Sequence, residues 1–207
     1  MRCYNCGAEL GKGDNCQNCG TNVKVYKKIL MASNAYYNDA LEKAGVRDLS
    51  GAIESLKISL RFNKLNIDAR NLLGLVYYEM GEVVEALSQW VISKNLQPEN
   101  NRADEYLTEV QGNKAELENM NKAIKNFNLS LDYAKHDSVD LAIIQLRSVI
   151  SQHPKMIKAY QLLALLYIKT GEYERAGREL RRALAIDRTD NISLYYQAEL
   201  ETLVGKS

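Results

Sequence analysis

The 207-residue chain has little of what a membrane protein, a secreted protein or a strongly basic nucleic-acid binder needs. No run approaches the ~20 consecutive apolar residues of a membrane span, and residues 1–22 lack the apolar core of a secretory signal. Lys and Arg number 27 against 26 Asp and Glu, so the charges nearly cancel. Only two prolines occur, and strand-forming residues never alternate over a useful length. We therefore expect an all-α protein in the cytoplasm, where thiols stay reduced.

Catalytic motifs are equally scarce. The chain has two histidines, His136 and His153, and neither has a serine, cysteine or acidic partner at a spacing typical of a catalytic site. Both are better interpreted as surface turn residues. Residues 204–207 read Val-Gly-Lys-Ser, which is the tail of a nucleotide-binding loop without its first glycine or its downstream helix. We predict that the protein is not an enzyme.

All four cysteines lie before residue 20, in two Cys-x-x-Cys-Gly segments. They are Cys3, Cys6, Cys16 and Cys19. Two residues between cysteines let both thiolates reach one metal, and the following glycine accepts the left-handed backbone that such a turn requires. The pattern resembles a short zinc ribbon, which implies one structural Zn²⁺ in a closed Cys₄ site. A rubredoxin-like iron centre uses similar segments, and spacing alone does not separate the two metals.

The stretch from Asp68 to Pro98 has the features of a helix-turn-helix unit. Small residues stand where two helices would cross, large ones stand where a core needs filling, and a glycine separates two apolar runs. In chain order these residues are Leu73, Gly74, Tyr77, Gly81, Ala86, Trp90 and Pro98. The unit is about 34 residues long and resembles the tetratricopeptide (TPR) repeat. Since one unit cannot bury its apolar face alone, it predicts neighbours.

Related units lie on both sides of this stretch. The predicted repeats span residues 33–66, 67–100, 123–156 and 157–190, and the second pair is displaced from the first by 90 residues. This displacement indicates an internal duplication. We predict a zinc ribbon (1–22), a first module (23–112, with closing helix 101–111) and a second module (113–207, with capping helix 191–204). The resemblance implies an all-α, right-handed superhelix, and the displacement indicates two tandem five-helix modules, which makes about ten helices in all.

In TPR arrays the first helix of each repeat lines a concave groove. The resemblance therefore implies twelve groove residues in this chain. They are Tyr37 and Leu41 in the first repeat, Asn71, Leu75 and Tyr78 in the second, Phe127, Leu131 and Lys135 in the third, and Gln161, Leu165, Ile168 and Lys169 in the fourth. The carboxylate clamp of some TPR co-chaperones needs Lys and Asn where this chain has Tyr37 and Leu41. An amphipathic helix or an extended apolar segment fits such a surface better.

The leading functional hypothesis is a non-catalytic scaffold or adaptor that binds a protein or peptide in the groove. A second hypothesis is a nucleic-acid-associated factor that uses the ribbon and the adjacent lysines Lys24, Lys27 and Lys28. Arg175, Arg178, Arg181 and Arg182 share one predicted helix, although interleaved glutamates favour a simply solvated face. A third hypothesis is a redox or metal sensor in which oxidation of the cysteine cluster releases the first helix.

Overall fold

The computed structural model describes residues 1–112 and 114–205, and within them the fold is all-α. Two isolated β-bridges, Arg2 with Glu9 and Asn15 with Asn22, lie in the cysteine-rich segment. The helices are α1 (Lys24–Gly45), α2 (Leu49–Phe62), α3 (Ile67–Glu79), α4 (Val83–Leu96), α5 (Ala103–Gly112), α6 (Lys114–Lys135), α7 (Val139–Gln152), α8 (Ile157–Lys169), α9 (Tyr173–Ile186) and α10 (Asn191–Val204). The prediction of an all-α helical repeat fold with ten helices is confirmed. In the described ranges, no helix is both long enough and apolar enough to span a bilayer.

Four helical hairpins make up most of the chain. They pair α1 with α2, α3 with α4, α6 with α7 and α8 with α9, and neighbouring hairpins meet where α2 packs on α3 and α7 packs on α8. Helices α5 and α10 pack on α4 and α9 respectively. In each hairpin the turn contains one residue with a positive φ angle: Arg47, Gly81, Asp137 or Gly171.

The hairpins close because small residues on one helix face large residues on the other. Gly74 and Trp90 show this most clearly, since a Cβ atom on Gly74 would overlap the Trp90 indole. The indole is 1% exposed, and its Nε1–H donates to the Asn71 carbonyl at 3.1 Å. The equivalent bulky positions in the other hairpins are also fully buried, at Leu56, Leu146 and Leu180. These contacts form the apolar core of each hairpin.

Buried polar caps tie one hairpin to the next. Asn66 caps α3 by accepting a hydrogen bond from Ala69 N–H, and its amide donates to Ser33 Oγ of the preceding hairpin at 2.9 Å. A side chain that caps one helix and bonds the previous hairpin fixes the angle between them. The same arrangement recurs twice, where Asn101 accepts from Ala103 N–H and the Asn71 amide, and where Asp190 accepts from Ser193 N–H and the Gln161 amide.

The fourth hairpin also contacts the first, across 138 residues of chain. Asp187, after α9, is 0% exposed, and its carboxylate accepts hydrogen bonds from Leu49 N–H at 3.0 Å and Ser50 N–H at 3.2 Å. Arg188 N–H donates to the Arg47 carbonyl at 2.9 Å. We call this contact between residues 187–189 and 47–50 the Asp187 latch. It places a carboxylate at the positive N-terminus of α2, where the helix dipole favours negative charge.

A second contact between the halves lies beside the latch. Glu79, at the end of α3, forms salt bridges with Arg47 and with Lys155 of the α7–α8 loop, at N–O distances of 3.2 Å and 2.6 Å. Lys158 pairs with Glu82 at 2.7 Å. The two hairpin pairs are therefore joined directly as well as through α5 and α6.

Candidate metal centre and interaction surface

The cysteine-rich segment consists of two similar loops. In the first, Gly7 N–H donates to the Cys3 carbonyl at 2.9 Å, and in the second, Gly20 N–H donates to the Cys16 carbonyl at 2.8 Å. Gly7 has φ 74° and Gly20 has φ 72°, so each glycine occupies the left-handed region that a Cβ atom disfavours. Each loop thereby turns its two thiols toward the same point.

The geometry of the sulfur atoms suits a tetrahedral metal. All four Sγ atoms lie within 4.8 Å of one another. Cys3 Sγ lies 3.8 Å from Cys19 Sγ, and Cys6 Sγ lies 3.7 Å from Cys16 Sγ. A zinc–sulfur bond of about 2.3 Å in a regular tetrahedron separates the sulfurs by about 3.8 Å, whereas a disulfide needs about 2.05 Å. The four cysteines could therefore hold one metal ion.

Polar neighbours favour the thiolate form of two of these cysteines. The side chain of Thr21, then its backbone, then the side chain of Asn5 lower the pKa of Cys19 to about 6. The Asn18 side chain lowers the pKa of Cys6. Thiolate is the form that binds a metal, so the surroundings of these two cysteines favour coordination. Backbone hydrogen bonds lower the pKa of Cys16, but burial and the neighbouring thiols outweigh them and raise it.

The cysteine segment is packed against the start of α1. Val23 is 0% exposed and packs with Cys3, Cys16 and two partly buried apolar neighbours. The Lys27 ammonium donates to the carbonyls of Gly11 and Gly13. Tyr4 and Tyr26 meet edge to face, with ring centroids 5.2 Å apart. The segment is thus held on the helix by several contacts besides the peptide link.

These contacts engage part of the basic cluster behind the nucleic-acid hypothesis. Lys27 bonds two carbonyls, as described above, and Lys24 pairs with Asp14 at 3.0 Å. On α9, Arg175 pairs with Glu172 and Arg182 pairs with Glu179. Charges that are already paired attract phosphate less strongly than free ones, so neither cluster presents all of its charge to nucleic acid.

The predicted groove residues differ widely in exposure. Leu41 is 43% exposed and Leu165 is 38% exposed, and both lie on the first helices of hairpins. Lys135 is also exposed, while Lys169 is exposed and pairs with Asp137. The other apolar and aromatic members are half-buried: Tyr37, Leu75, Tyr78, Phe127, Leu131 and Ile168.

The two predicted groove amides are structural. Asn71 and Gln161 are each 7% exposed, and they donate to the caps Asn101 and Asp190 at 2.9 Å and 2.6 Å. They belong to the junctions of the second hairpin with α5 and of the fourth hairpin with α10. Asn71 Oδ1 is buried and has no hydrogen-bond partner among the described atoms.

A cavity of about 220 Å³ lies between the two halves of the chain. Its apolar walls come from α4, α6 and the α7–α8 loop, and Tyr78 is the predicted groove residue among its described lining. The apolar and aromatic lining residues are Tyr78, Val83, Met120, Ile124, Pro154 and Met156. The Lys155 ammonium lies 5.6 Å from the Tyr78 ring centroid at the same place. Sequence reasoning missed this cavity, because no repeat pattern indicates which turns of distant hairpins will meet.

The comparisons with known proteins concern the repeats. Residues 133–199 match the family model of the tetratricopeptide repeat. The match covers α7, α8 and α9 and most of α10. A search of curated proteins finds no match.

Solved TPR structures resemble the chain at low identity. A TPR protein from Parabacteroides merdae is 19% identical with a TM-score of 0.39; the alignment covers 85% of this chain and 61% of that one, which is less than two thirds of its length. YrrB, described as a TPR protein with an unusual peptide-binding site, is 20% identical (85% and 97% covered, TM-score 0.37). MamA from Desulfovibrio magneticus is 16% identical (77% and 97% covered, TM-score 0.37). The fold of the present chain is therefore assigned from its own helices.

Proposed function

We propose that the protein is a non-catalytic scaffold that holds an apolar segment or an amphipathic helix of a partner protein against α1, α3, α6 and α8. The exposure of Leu41 and Leu165 carries this proposal. Both are large apolar side chains on first helices of hairpins, and each has half-buried aromatic residues on its own or a neighbouring first helix. If these side chains form one continuous surface along the first helices, that surface suits an extended apolar segment or the apolar face of an amphipathic helix.

The cavity supplies a further element of this proposal. An apolar cavity of about 150 Å³ is large enough for benzene, so about 220 Å³ accommodates one large apolar side chain of a ligand. Tyr78 at its edge contributes an aromatic ring beside the Lys155 ammonium, which pairs with Glu79. A ligand anchored here would touch both halves of the chain.

The Asp187 latch supports the proposal through preorganisation. Because the fourth hairpin is fixed to the first, the surface does not have to be assembled when the ligand arrives. Binding then costs less conformational entropy than it would on an open, flexible array.

We further propose that the four cysteines hold one structural Zn²⁺, which stabilises residues 1–22 and makes them a rigid extension of α1. The sulfur spacing, close to that of a zinc tetrahedron, and the packing of Val23 support this assignment. Iron binds in the same geometry, and metal analysis of the protein purified from its native source distinguishes the two. This proposal places the protein in the cytoplasm, where the thiols remain reduced.

The proposed domain organisation is a ribbon (1–22) followed by two modules (23–112 and 113–207). Helix bounds support the duplication, because α6, α7, α8 and α9 each begin and end 90 residues after α1, α2, α3 and α4. A chance similarity of helical period would not reproduce eight helix ends. Helices α5 and α10 would then close the two modules.

The test is a peptide-display selection on the zinc-loaded full chain, followed by affinity measurement with the enriched peptide. Leu41→Ser with Leu165→Ser is the groove variant, and its positions are already exposed, so the fold is retained. Leu141→Ser, at 49% exposure on α7, is the matched control. We expect about tenfold weaker binding or more for the groove variant and unchanged binding for the control. Equal affinity for all three proteins would refute the groove assignment.

A further inference from the structure

The first two hairpins meet through a buried polar cluster, which consists of Ser33, Asn34, Ser59 and Asn66. Ser33 and Ser59 are both 0% exposed, and their Oγ atoms lie 3.0 Å apart. The Asn66 amide donates to Ser33 Oγ at 2.9 Å and to Asn34 Oδ1 at 3.4 Å. The same side chain caps α3 by accepting from Ala69 N–H. The polar cluster therefore satisfies buried hydroxyl groups and stabilises the start of a helix.

At the matching junction between the third and fourth hairpins, these positions are apolar. Helices α6 to α9 begin and end 90 residues after α1 to α4, so the same displacement relates the two junctions. The polar cluster Ser33, Asn34, Ser59 and Asn66 corresponds in turn to Ala123, Ile124, Val149 and Met156. Met156 precedes α8 and forms no side-chain cap hydrogen bond. An apolar residue there stabilises the helix start less than a capping asparagine would, so helix stability does not explain the exchange.

The exchanged positions lie at the cavity between the two halves of the chain. Ala123, Ile124 and Met156 form part of its wall, and Tyr78 and Val83 of the second hairpin form another part. The cavity volume is about 220 Å³. Protein interiors contain few spaces larger than a water molecule, so an apolar space of this size is uncommon in a core without a ligand. A ligand with an apolar group accounts for both the cavity and the apolar residues at the matching positions.

The wall of the cavity favours an aromatic ring. Met120 and Met156 both line it, and methionine sulfur packs favourably against the edge of an aromatic ring. The ring of Tyr78 adds a surface for edge-to-face or offset-stacked contact. An apolar cavity of about 150 Å³ is large enough for benzene, so the volume present here suits a larger ring system such as indole.

The nitrogen-bearing side chains around the cavity already have hydrogen-bond partners. Gln152, His153 and Lys155 are paired in turn with Ser148 Oγ, the Asn119 carbonyl and the Glu79 carboxylate, at 3.2 Å, 3.2 Å and 2.6 Å. Because these groups have partners, they do not require a charged or strongly polar ligand. The apolar part of the wall therefore determines the chemistry of the ligand.

We propose that the cavity binds an aromatic ring of about the size of indole. The source of the ring is either a small aromatic molecule or an aromatic side chain of a partner protein. In the second case the inference rests on the proposed function, and it specifies the chemistry of the side chain that anchors the partner. In both cases the ring contacts the second and third hairpins at once, since both contribute to the wall.

The test is a titration of the zinc-loaded full chain with indole, followed by NMR of the methionine methyl groups. We expect ring-current shifts at Met120 and Met156. No shifts are expected at Met1 and Met31, which are 52% and 61% exposed and lie outside the cavity wall. For a fragment of this size we expect a dissociation constant on the order of 1 mM. Absence of shifts at Met120 and Met156 up to about 10 mM indole, tenfold above that value, would overturn the proposal.

Two variants change the cavity in different ways. Ile124→Trp fills it, and Ala123→Ser with Val149→Ser and Met156→Asn introduces the polar cluster of the first junction. We expect each to weaken indole binding by about tenfold or more while circular dichroism shows unchanged helix content. Leu129→Trp is the matched control, because it adds the same side chain to α6 at a position that is 39% exposed, and it should bind indole as the wild type does. Wild-type affinity in either folded cavity variant would also overturn the proposal.

Phenol and cyclohexanol test the aromatic character of the ring, because they carry the same hydroxyl group on an aromatic and a saturated ring. Phenol should bind more tightly by about twofold or more. Equal affinity, or tighter binding of cyclohexanol, would refute the preference for an aromatic ring.

The peptide from the display selection separates the two sources of the ring. Competition between the peptide and indole identifies an aromatic side chain of the partner, whereas independent binding of both identifies a small aromatic molecule. The groove variant Leu41→Ser with Leu165→Ser should bind indole normally, because neither residue lines the cavity. The indole test and the peptide test therefore fail independently.

Discussion

Replacement of Asp187 by alanine should destabilise the protein far more than its position in a turn would indicate. The side chain is 0% exposed, and its carboxylate accepts from two backbone N–H groups at the start of α2, from the Ser50 hydroxyl and from Thr189 N–H at 3.2 Å. Alanine removes the carboxylate, and with it the acceptor of all of these hydrogen bonds. Leu49 is itself 2% exposed, so water does not easily replace the lost partner of its N–H.

The magnitude follows from these bonds. Loss of an N-cap acceptor costs about 0.5–2 kcal/mol, and each buried donor left without a partner costs about 1–3 kcal/mol. The buried Leu49 N–H at about 1–3 kcal/mol and the half-buried Ser50 N–H at about 0.5–2 kcal/mol give an expected loss of about 2–5 kcal/mol in the free energy of unfolding. Asp187→Asn keeps one acceptor oxygen but faces the second amide with an NH₂ group, so it should cost about 1–3 kcal/mol.

Urea unfolding followed by circular dichroism measures the loss, and amide hydrogen exchange at Leu49 and Ser50 locates it. The control is Asp137→Asn, because Asp137 lies in an exposed turn and pairs with an exposed lysine. That variant should change stability by less than about 1 kcal/mol. The reasoning fails if Asp187→Ala costs less than about 1 kcal/mol, or if exchange at the α2 N-terminus does not increase.

Three further predictions concern the metal, a turn and pH. Cys16→Ser should abolish stoichiometric zinc binding and increase hydrogen exchange in residues 1–30, with the later helices unchanged, because the cysteine segment packs on the start of α1. Gly81→Ala should lower the free energy of unfolding, measured in urea, by about 2–4 kcal/mol, because φ is 77° and a Cβ atom would lie 2.8 Å from a backbone atom of the α7–α8 loop. The control is Gly171→Ala, where φ is 78° but the space around the Cβ is open, and it should cost about 1–2 kcal/mol. Burial raises the pKa of Glu79, but hydrogen bonds from Lys155 and a neighbouring arginine outweigh burial and hold it below the ordinary 4.5. The stabilisation from these ion pairs is thus present above pH 4.5 and is lost as the pH falls through the lower pKa that Glu79 has in the folded protein. The Tm of the Glu79→Gln variant should therefore fall less than the Tm of the wild type when the pH is lowered.

Local patterns in the sequence were enough to predict the helices. Spacing of small and large residues predicted the hairpins, because a Gly74–Trp90 crossing needs one residue of each size and both lie in one 34-residue window. The cysteine spacing predicted one cluster for a similar reason, since each pair lies within a single turn. In both cases the residues that meet are close in the chain.

The remainder depends on contacts between distant residues. Asp187 has no motif that relates it to Leu49, and a carboxylate after a helix would ordinarily be assigned to solvent. The groove positions taken from the TPR resemblance include Asn71 and Gln161, whose amides donate to the capping residues of α5 and α10. A repeat pattern identifies the side of a helix on which a residue lies. It does not show whether the capping residue of the next helix accepts a hydrogen bond from that side chain.

The latch also changes how the repeats depend on one another. In an open array each repeat contacts only its neighbours, so stability is a sum of local terms and one end can unfold while the other persists. Here the fourth hairpin holds the N-terminus of the second helix of the chain, and salt bridges at Glu79 and Glu82 strengthen the same boundary. Opening either end therefore removes buried hydrogen bonds from the other, and the chain should behave as one cooperative unit. The cavity lies at this boundary, so its shape persists only while both halves stay folded together.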